Sequence, residues 1–174
     1  DGLSGNNQKD IAYLKGCMTL YRDHPLHREI TKACGELLYK LMPEESRQHF
    51  ADMFSKAFAD FGAKLQQARE LQKNREYDKA VALLEPMKQD AENSSLYRSD
   101  EETDVRSFAD PMEMSLYDFF FAQKNRKLQQ APFPFHIVYL LLGSIELARS
   151  STKKALKYLE KARQWDPASV PVLM

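Results

Sequence analysis

The chain has 174 residues, 43% hydrophobic and 29% charged, with 25 Lys plus Arg balanced by 25 Asp plus Glu. That length supports one domain of ordinary size with a sizeable core, and the composition is not that of a disordered chain. A formal net charge of zero excludes a general attraction to nucleic acid or to an anionic membrane, and no apolar run approaches the ~20 residues of a membrane span.

Helical periodicity dominates. Residues 1–7 are rich in Gly, Asn and Ser and read as a frayed start. Ile11, Leu14, Met18 and Tyr21 predict a first helix from about Lys9 to Tyr21, broken by Asp23-His24-Pro25. Pro25 suits the first turn of a second helix, which runs to about Met42 on Ile30, Cys34, Leu37, Leu38 and Leu41. Gly35 in its middle costs about 1 kcal/mol against Ala, which a close helix contact would explain. Cys17 and Cys34 lie in these apolar patterns, as reduced thiols of a cytoplasmic protein would. No signal peptide is visible. The chain starts at Asp1 and stops in VPVLM, so a segment of a longer, cytoplasmic protein is expected.

Pro43 starts a third helix, with Glu44 and Glu45 well placed in its first turn. Its stripe of Phe50, Met53, Phe54, Ala57, Phe58, Phe61, Leu65, Ala68 and Leu71 predicts one long helix, about 45 Å at 1.5 Å per residue, with Gly62 the point where it would bend. After a turn at Asn74-Arg75-Glu76, a fourth helix runs from about Tyr77 to Ala91, and Pro86 is predicted to kink it. Residues 92–109 lack periodicity. Asp100, Glu101, Glu102 and Asp104 make them an acidic, mobile surface loop. Asp110-Pro111-Met112-Glu113 is a strong helix start, with a capping Asp, Pro at the first helical position and Glu three after the cap. This fifth helix extends to about Gln123. Met112, Leu116, Phe119 and Phe120 face a core, and Lys124, Arg126 and Lys127 sit near its end. Ala131-Pro132-Phe133-Pro134 is an extended link. Two further helices fill His136–Pro167, back to back across a short polar turn.

Two stretches repeat one another. Ala80 lies 12 residues after Ala68 and Met87 lies 7 after Ala80; Ala155 lies 12 after Gly143 and Ala162 lies 7 after Ala155. Leu84 and Leu159 each follow the alanine by four. Helices joined by a tight turn approach closely only where small residues face each other, and a larger apolar residue one turn on fills the gap.

On these residues the chain resembles the tetratricopeptide repeat family. Tyr139, Leu142, Gly143, Ala155, Leu159, Ala162 and Pro167 stand where that motif has aromatic, leucine, small, alanine, bulky, alanine and proline residues. Ala68, Leu71, Tyr77, Ala80 and Leu84 form a poorer copy, which has Lys64, Met87 and Glu92 where an aromatic, an alanine and a proline are common. Ala80 and Ala155 are 75 residues apart, about seven more than two family periods of ~34 residues. A divergent pair, made of the acidic loop and the fifth helix, therefore fills the middle slot. With PFPF ahead of the final unit, the chain is also similar to tetratricopeptide proteins of gut-type bacteria. The resemblance implies an all-α fold of antiparallel helical hairpins, stacked as a short superhelix of about seven helices. The expected organisation is a single α-helical domain over residues 1–174, with a divergent pair at 61–92, the acidic loop and inserted helix at 93–134 and the best pair at 135–167.

The resemblance further implies a non-catalytic protein- or peptide-binding module within a larger scaffold or regulator. The alternative is a peptide-sensing regulatory domain of a transcription regulator whose DNA-binding part lies elsewhere. In the family the first helices of successive pairs line a groove. That implies Leu65, Arg69, Gln72 and Lys73 from the poorer copy, and Ile137, Leu140, Ser144 and Leu147 from the better one. Asparagine, needed by the family's carboxylate clamp, is absent from these positions, so that specificity is not carried over. The all-round apolar character of 137–148 favours a covered face over an open one.

Other constellations read as ordinary structure. His24 and His27 flank Pro25 at a helix start, with only Cys17 or Asp23 near enough to join them as ligands; an enzyme reading would need a pocket that joins His49 or His136 to perturbed carboxylates. No phosphate loop, paired-cysteine motif or zinc-protease helix is present, so no catalytic residue, metal or cofactor is expected. Phe119 to Phe121 beside Lys124, Arg126 and Lys127 would suit a single nucleic-acid strand, but core plus helix cap is the better reading. Expected partners are a protein or peptide, with neither nucleic acid nor membrane. The C-terminal edge around Leu159 and Trp165 is expected to meet a second copy or a folded-back tail, or to stand as an apolar edge.

Overall fold

In the computed structural model the described residues are 3–22, 24–94, 97–122 and 125–169, without the side chains of Arg28 and Phe50. Expectations attached to Asp23, Gln123, Lys124 and the tail 170–174 lie outside the described residues. Among those described, the order is α1 (Asn7–Leu20), α2 (His27–Leu41), α3 (Glu44–Lys73), α4 (Tyr77–Asn93), β1 (Thr103–Arg106), α5 (Pro111–Phe120), β2 (Lys127–Gln130), α6 (Phe135–Ala148) and α7 (Thr152–Trp165). The fold is all-α, with one two-stranded parallel ladder. Among the described residues no helix is long and apolar enough to cross a membrane. The chain divides into two compact units, Asp1–Ala57 and Phe58–Met174, where the sequence suggests one domain. The division falls inside α3, which is unbroken over 30 residues.

In the first unit, Asp10 is 2% exposed. Its carboxylate accepts Ser4 N at 2.6 Å, Ser4 Oγ at 2.8 Å and Gly5 N at 3.0 Å, drawing the start of the chain onto α1. The Ser4 backbone donor, foremost, holds that carboxyl below its ordinary range. Both cysteines are free thiols, and burial raises the pKa of Cys34. Among the described residues the close contact expected at Gly35 is absent: a Cβ there would meet nothing within 4 Å. The stripe on the first half of α3 is also less buried than its spacing suggests, with Met53 and Phe54 exposed.

In the second unit, Leu65 and Ala68 of α3 join Ala80, Leu84 and Met87 of α4 and Val138, Leu141, Leu142 and Ile145 of α6 in one core. The repeat alanines Ala68, Ala80, Ala155 and Ala162 are all fully buried. Gly143 is required by proximity, because a Cβ there would stand 2.9 Å from Leu159 Cδ2 and 3.5 Å from the Ala155 carbonyl oxygen. Helices α3 and α6 end identically. A residue of positive φ, Arg75 or Ser150, follows each helix cap, and the crossed backbone bonds of a Schellman turn close both ends. Pro86 lies inside α4, which continues past it to Asn93.

The acidic stretch is not loop throughout: Asp100, Glu101 and Glu102 are exposed, but Asp104 lies in a strand. Residues 103–106 pair in parallel with residues 127–130, Thr103 opposite Lys127 and Arg106 opposite Gln130. Helix α5 supplies the crossover that parallel strands need. Thr103, Asp104 and Val105 are buried. Asp104 faces Arg106 Nη2 at 2.9 Å, and the Tyr117 hydroxyl donates to its second oxygen. Four residues that bury an aspartate beside an arginine give no period of two to read.

Helix α5 starts as its sequence predicts. Asp110 Oδ1 accepts Met112 N at 2.8 Å and Glu113 N at 3.0 Å. Its aromatics are not core, however: Phe119 is 82% exposed and Phe120 66%, whereas Tyr117 is 2% exposed. The helix turns inward on the side that lets Tyr117 reach Asp104. At the end of α7, Trp165 packs on Phe135, ring centroids 5.3 Å apart, and beyond the helix Ala168 is buried against Phe108 and Tyr117.

Candidate functional site

The groove residues implied by the family resemblance do not form one open surface. Leu65 is closed into the core at 5% exposure. Gln72 and Ser144 come together, with Gln72 Nε2 donating to Ser144 Oγ at 2.8 Å and Ser144 Oγ donating to the Leu141 carbonyl at 2.9 Å. That bond joins α3 to α6. Arg69 is exposed, and Lys73, also exposed, pairs with Glu70 at 3.0 Å. On α6, Ile137 and Leu140 are half-buried and Leu147 is 50% exposed.

An open cleft lies elsewhere in the second unit, between the end of α4, the segment leading into β1, and the α6–α7 pair. Its volume is about 590 Å³ and its walls include Glu92, Tyr97, Arg98, Tyr139, Lys161 and Trp165. The Tyr139 hydroxyl donates to Glu92 Oε1 at 3.0 Å, and burial pushes that phenol's pKa upward. Arg98 Nη2 donates to the Glu92 carbonyl at 3.3 Å. Arg106, also in the wall, is held by Asp104, by Tyr117 and by the Gln164 carbonyl. Aromatic faces and cations therefore meet in one concave surface. None of these residues was singled out from the sequence as a groove residue. Their signal is dispersed, because the cleft exists only once β1 is laid beside the helix pair.

A second constellation is buried. Glu113, His136 and Asp166 each bring a ligand atom within 4.8 Å of the others. They come from the first turn of α5, the first turn of α6 and the C-cap of α7. His136 is 1% exposed and Asp166 fully buried. His136 Nε2 lies 3.9 Å from Asp166 Oδ2. His136 Nδ1 lies 3.1 Å from Ser107 Oγ, which is also 3.1 Å from the Phe133 carbonyl. Asp166 Oδ1 accepts Ala168 N at 2.9 Å, and Glu113 Oε2 accepts Ala109 N at 2.7 Å. Among the described residues Asp166 Oδ2 has no hydrogen-bond partner. Burial, then the neighbouring Glu113 carboxyl, pushes the Asp166 carboxyl up to about 7. Burial also lowers the pKa of His136 against the opposing pull of Glu113.

The sequence hides this cluster because each member already has a local role. Glu113 reads as a capping residue, His136 as a helix start and Asp166 as the residue before a proline. No short spacing links them, and folding alone brings them together. No protein-family model, no curated protein and no solved structure matches the chain.

Proposed function

We propose that the chain is a non-catalytic, tetratricopeptide-like interaction module. In this reading the second unit takes a peptide that carries a carboxylate next to an aromatic or aliphatic side chain. The observation that carries it is the cleft of about 590 Å³ between β1, α4 and the α6–α7 pair. That volume lies within the range of about 300–1,000 Å³ common to sites that bury small ligands. It has room for one or two side chains and not for a helix. Trp165, Tyr97 and Arg98 are of the types on which binding energy concentrates, because they present large, stiff surfaces with a polar handle.

The charge balance favours an anionic group. Arg98 and Lys161 line the cleft with Glu92, while Arg106 there is already paired with Asp104, and Glu92 already accepts the Tyr139 hydroxyl. With Leu65 in the core and Gln72 bonded to Ser144, the binding surface moves from the first-helix face to this cleft.

A peptide array probed with the full chain and with its Lys161→Glu variant tests the reading. Selected peptides are expected to share an acidic residue beside an aromatic or aliphatic one. The variant is expected to weaken them at least ~10-fold, the equivalent of about 1.4 kcal/mol. Binders indifferent to the variant, or an array without binders, would sink the reading.

A further inference from the structure

We propose that Glu113, His136 and Asp166 form a three-ligand site for a divalent transition-metal ion of the zinc class, with water in the fourth position, tying α5 to the ends of α6 and α7. This proposal stands independently of the peptide reading, since none of the three residues lines the cleft.

The bonding around His136 sets out the case. Ser107 Oγ has one proton and two lone pairs. It lies 3.1 Å from the Phe133 carbonyl, 3.1 Å from His136 Nδ1 and 3.4 Å from His136 N. Every group is satisfied when the hydroxyl donates to the carbonyl and accepts from both nitrogens. That assignment puts the ring proton on Nδ1 and leaves Nε2 a bare lone pair. Nε2 faces Asp166 Oδ2, an oxygen on a fully buried side chain with no partner among the described residues. Glu113 closes the same space. With both carboxyls ionised, three electron-rich atoms converge with no donor between them, which is unfavourable at low dielectric unless a shared proton or a cation sits in the middle.

A divalent ion resolves the arrangement. Its two charges balance two carboxylates, and the neutral imidazole adds none. Donors bonded at about 2.0–2.2 Å stand at most about 4.4 Å apart. His136 Nε2 and Asp166 Oδ2, at 3.9 Å, already fit. The widest separation in the cluster, within 4.8 Å, closes by a few tenths of an ångström through the half-buried Glu113 side chain. One imidazole with two carboxylates suits zinc and its neighbours. Calcium asks for six to eight oxygens. The bond from Nδ1 to Ser107 is the outer-shell contact that metal-bound histidines need to fix ring and tautomer.

The test uses the full chain, stripped with chelator and refolded from urea with and without Zn²⁺ so that a closed site is accessible. Bound zinc is counted by mass spectrometry and affinity is read by calorimetry. One Zn²⁺ per chain and a higher melting temperature with zinc are expected. Asp166→Asn and Glu113→Gln are each expected to weaken binding at least ~100-fold. Ser107→Ala is expected to keep one ion but to weaken it ~10–100-fold. Replacing His24, His27 and His49 by Asn is expected to change nothing, which sets aside surface histidines. Should Asp166→Asn fail to fold, Glu113→Gln decides. Two results would overturn the proposal. Zinc binding that survives Glu113→Gln and Asp166→Asn would be adventitious. A wild-type chain that retains no zinc, with Asp166→Asn melting at or above it, would mean that Asp166 and Glu113 share a proton instead.

Discussion

Arg75 and Ser150 lie 75 residues apart and hold the same left-handed backbone, φ 61° and 63°. The bonds around them match as well. Arg75 N reaches the Gln72 carbonyl at 3.0 Å and Glu76 N reaches Leu71 at 2.8 Å; Ser150 N reaches Leu147 at 2.9 Å and Ser151 N reaches Glu146 at 2.8 Å. The repeat read from Ala80 and Ala155 therefore extends into the turn before each alanine. A side chain at positive φ costs about 1–2 kcal/mol that glycine does not incur. Arg75→Gly and Ser150→Gly are each expected to raise stability by about 1 kcal/mol in urea denaturation. A loss from either would mean that the side chain contributes more than the strain.

Gly143 answers to the opposite constraint. Alanine would gain about 1 kcal/mol of helix propensity, but its Cβ would press on Leu159, and overpacking costs about 1–3 kcal/mol. Gly143→Ala is expected to destabilise by about 1 kcal/mol. Adding Leu159→Ala should relieve the clash, so that the double variant loses less than the two single losses combined. Strict additivity in that cycle would show that the two residues do not touch.

Asp104 sits buried between Arg106 and Tyr117. Asp104→Ala leaves a guanidinium without its carboxylate in a buried setting, and is expected to cost about 3–5 kcal/mol. Glu101→Ala, a change in the exposed part of the same acidic run, should stay within about 0.5 kcal/mol. Equal effects at the two positions would restore the surface-loop reading.

The exposed tip of α5 gives a contrasting case. Phe119→Ser with Phe120→Ser is expected to shift stability by no more than about 0.5 kcal/mol and to reduce hydrophobic-dye binding. A core position would lose about 3–5 kcal/mol for such a truncation, and melting curves separate the two.

In the first unit, pH acts through Asp10. Its carboxyl is held below the ordinary value of about 3.9. Its contribution is therefore full above about pH 4 and is lost as pH falls through the lower folded value. The Ser4 and Gly5 amide signals are expected to move in that acid window, and Asp10→Asn should abolish the movement. Signals that already move midway through the ordinary carboxylate range, at about pH 4 or above, would contradict it.

The helices and their repeat were legible because both depend on local spacing. Ala68, Ala80, Gly143 and Ala155 mark close approach whatever the surroundings, and Asp110-Pro111 caps a helix by its own geometry. What stayed hidden depends on partners distant in sequence. β1 looks like an acidic loop until Arg106 and Tyr117 neutralise Asp104. Phe119 and Phe120 look like core because hydrophobicity alone does not say which face of α5 turns inward. The cleft and the Glu113–His136–Asp166 cluster both need the inserted segment folded against α6 and α7, and no short motif encodes that.

Trp165 is the chain's one tryptophan and it lines the cleft, so its fluorescence tests the interaction reading most directly. Titration with an array-selected acidic peptide is expected to change Trp165 emission saturably, and Lys161→Glu should shift the midpoint at least ~10-fold. Saturable binding measured by calorimetry with no change in Trp165 emission, or with no effect of Lys161→Glu, would contradict a site in this cleft.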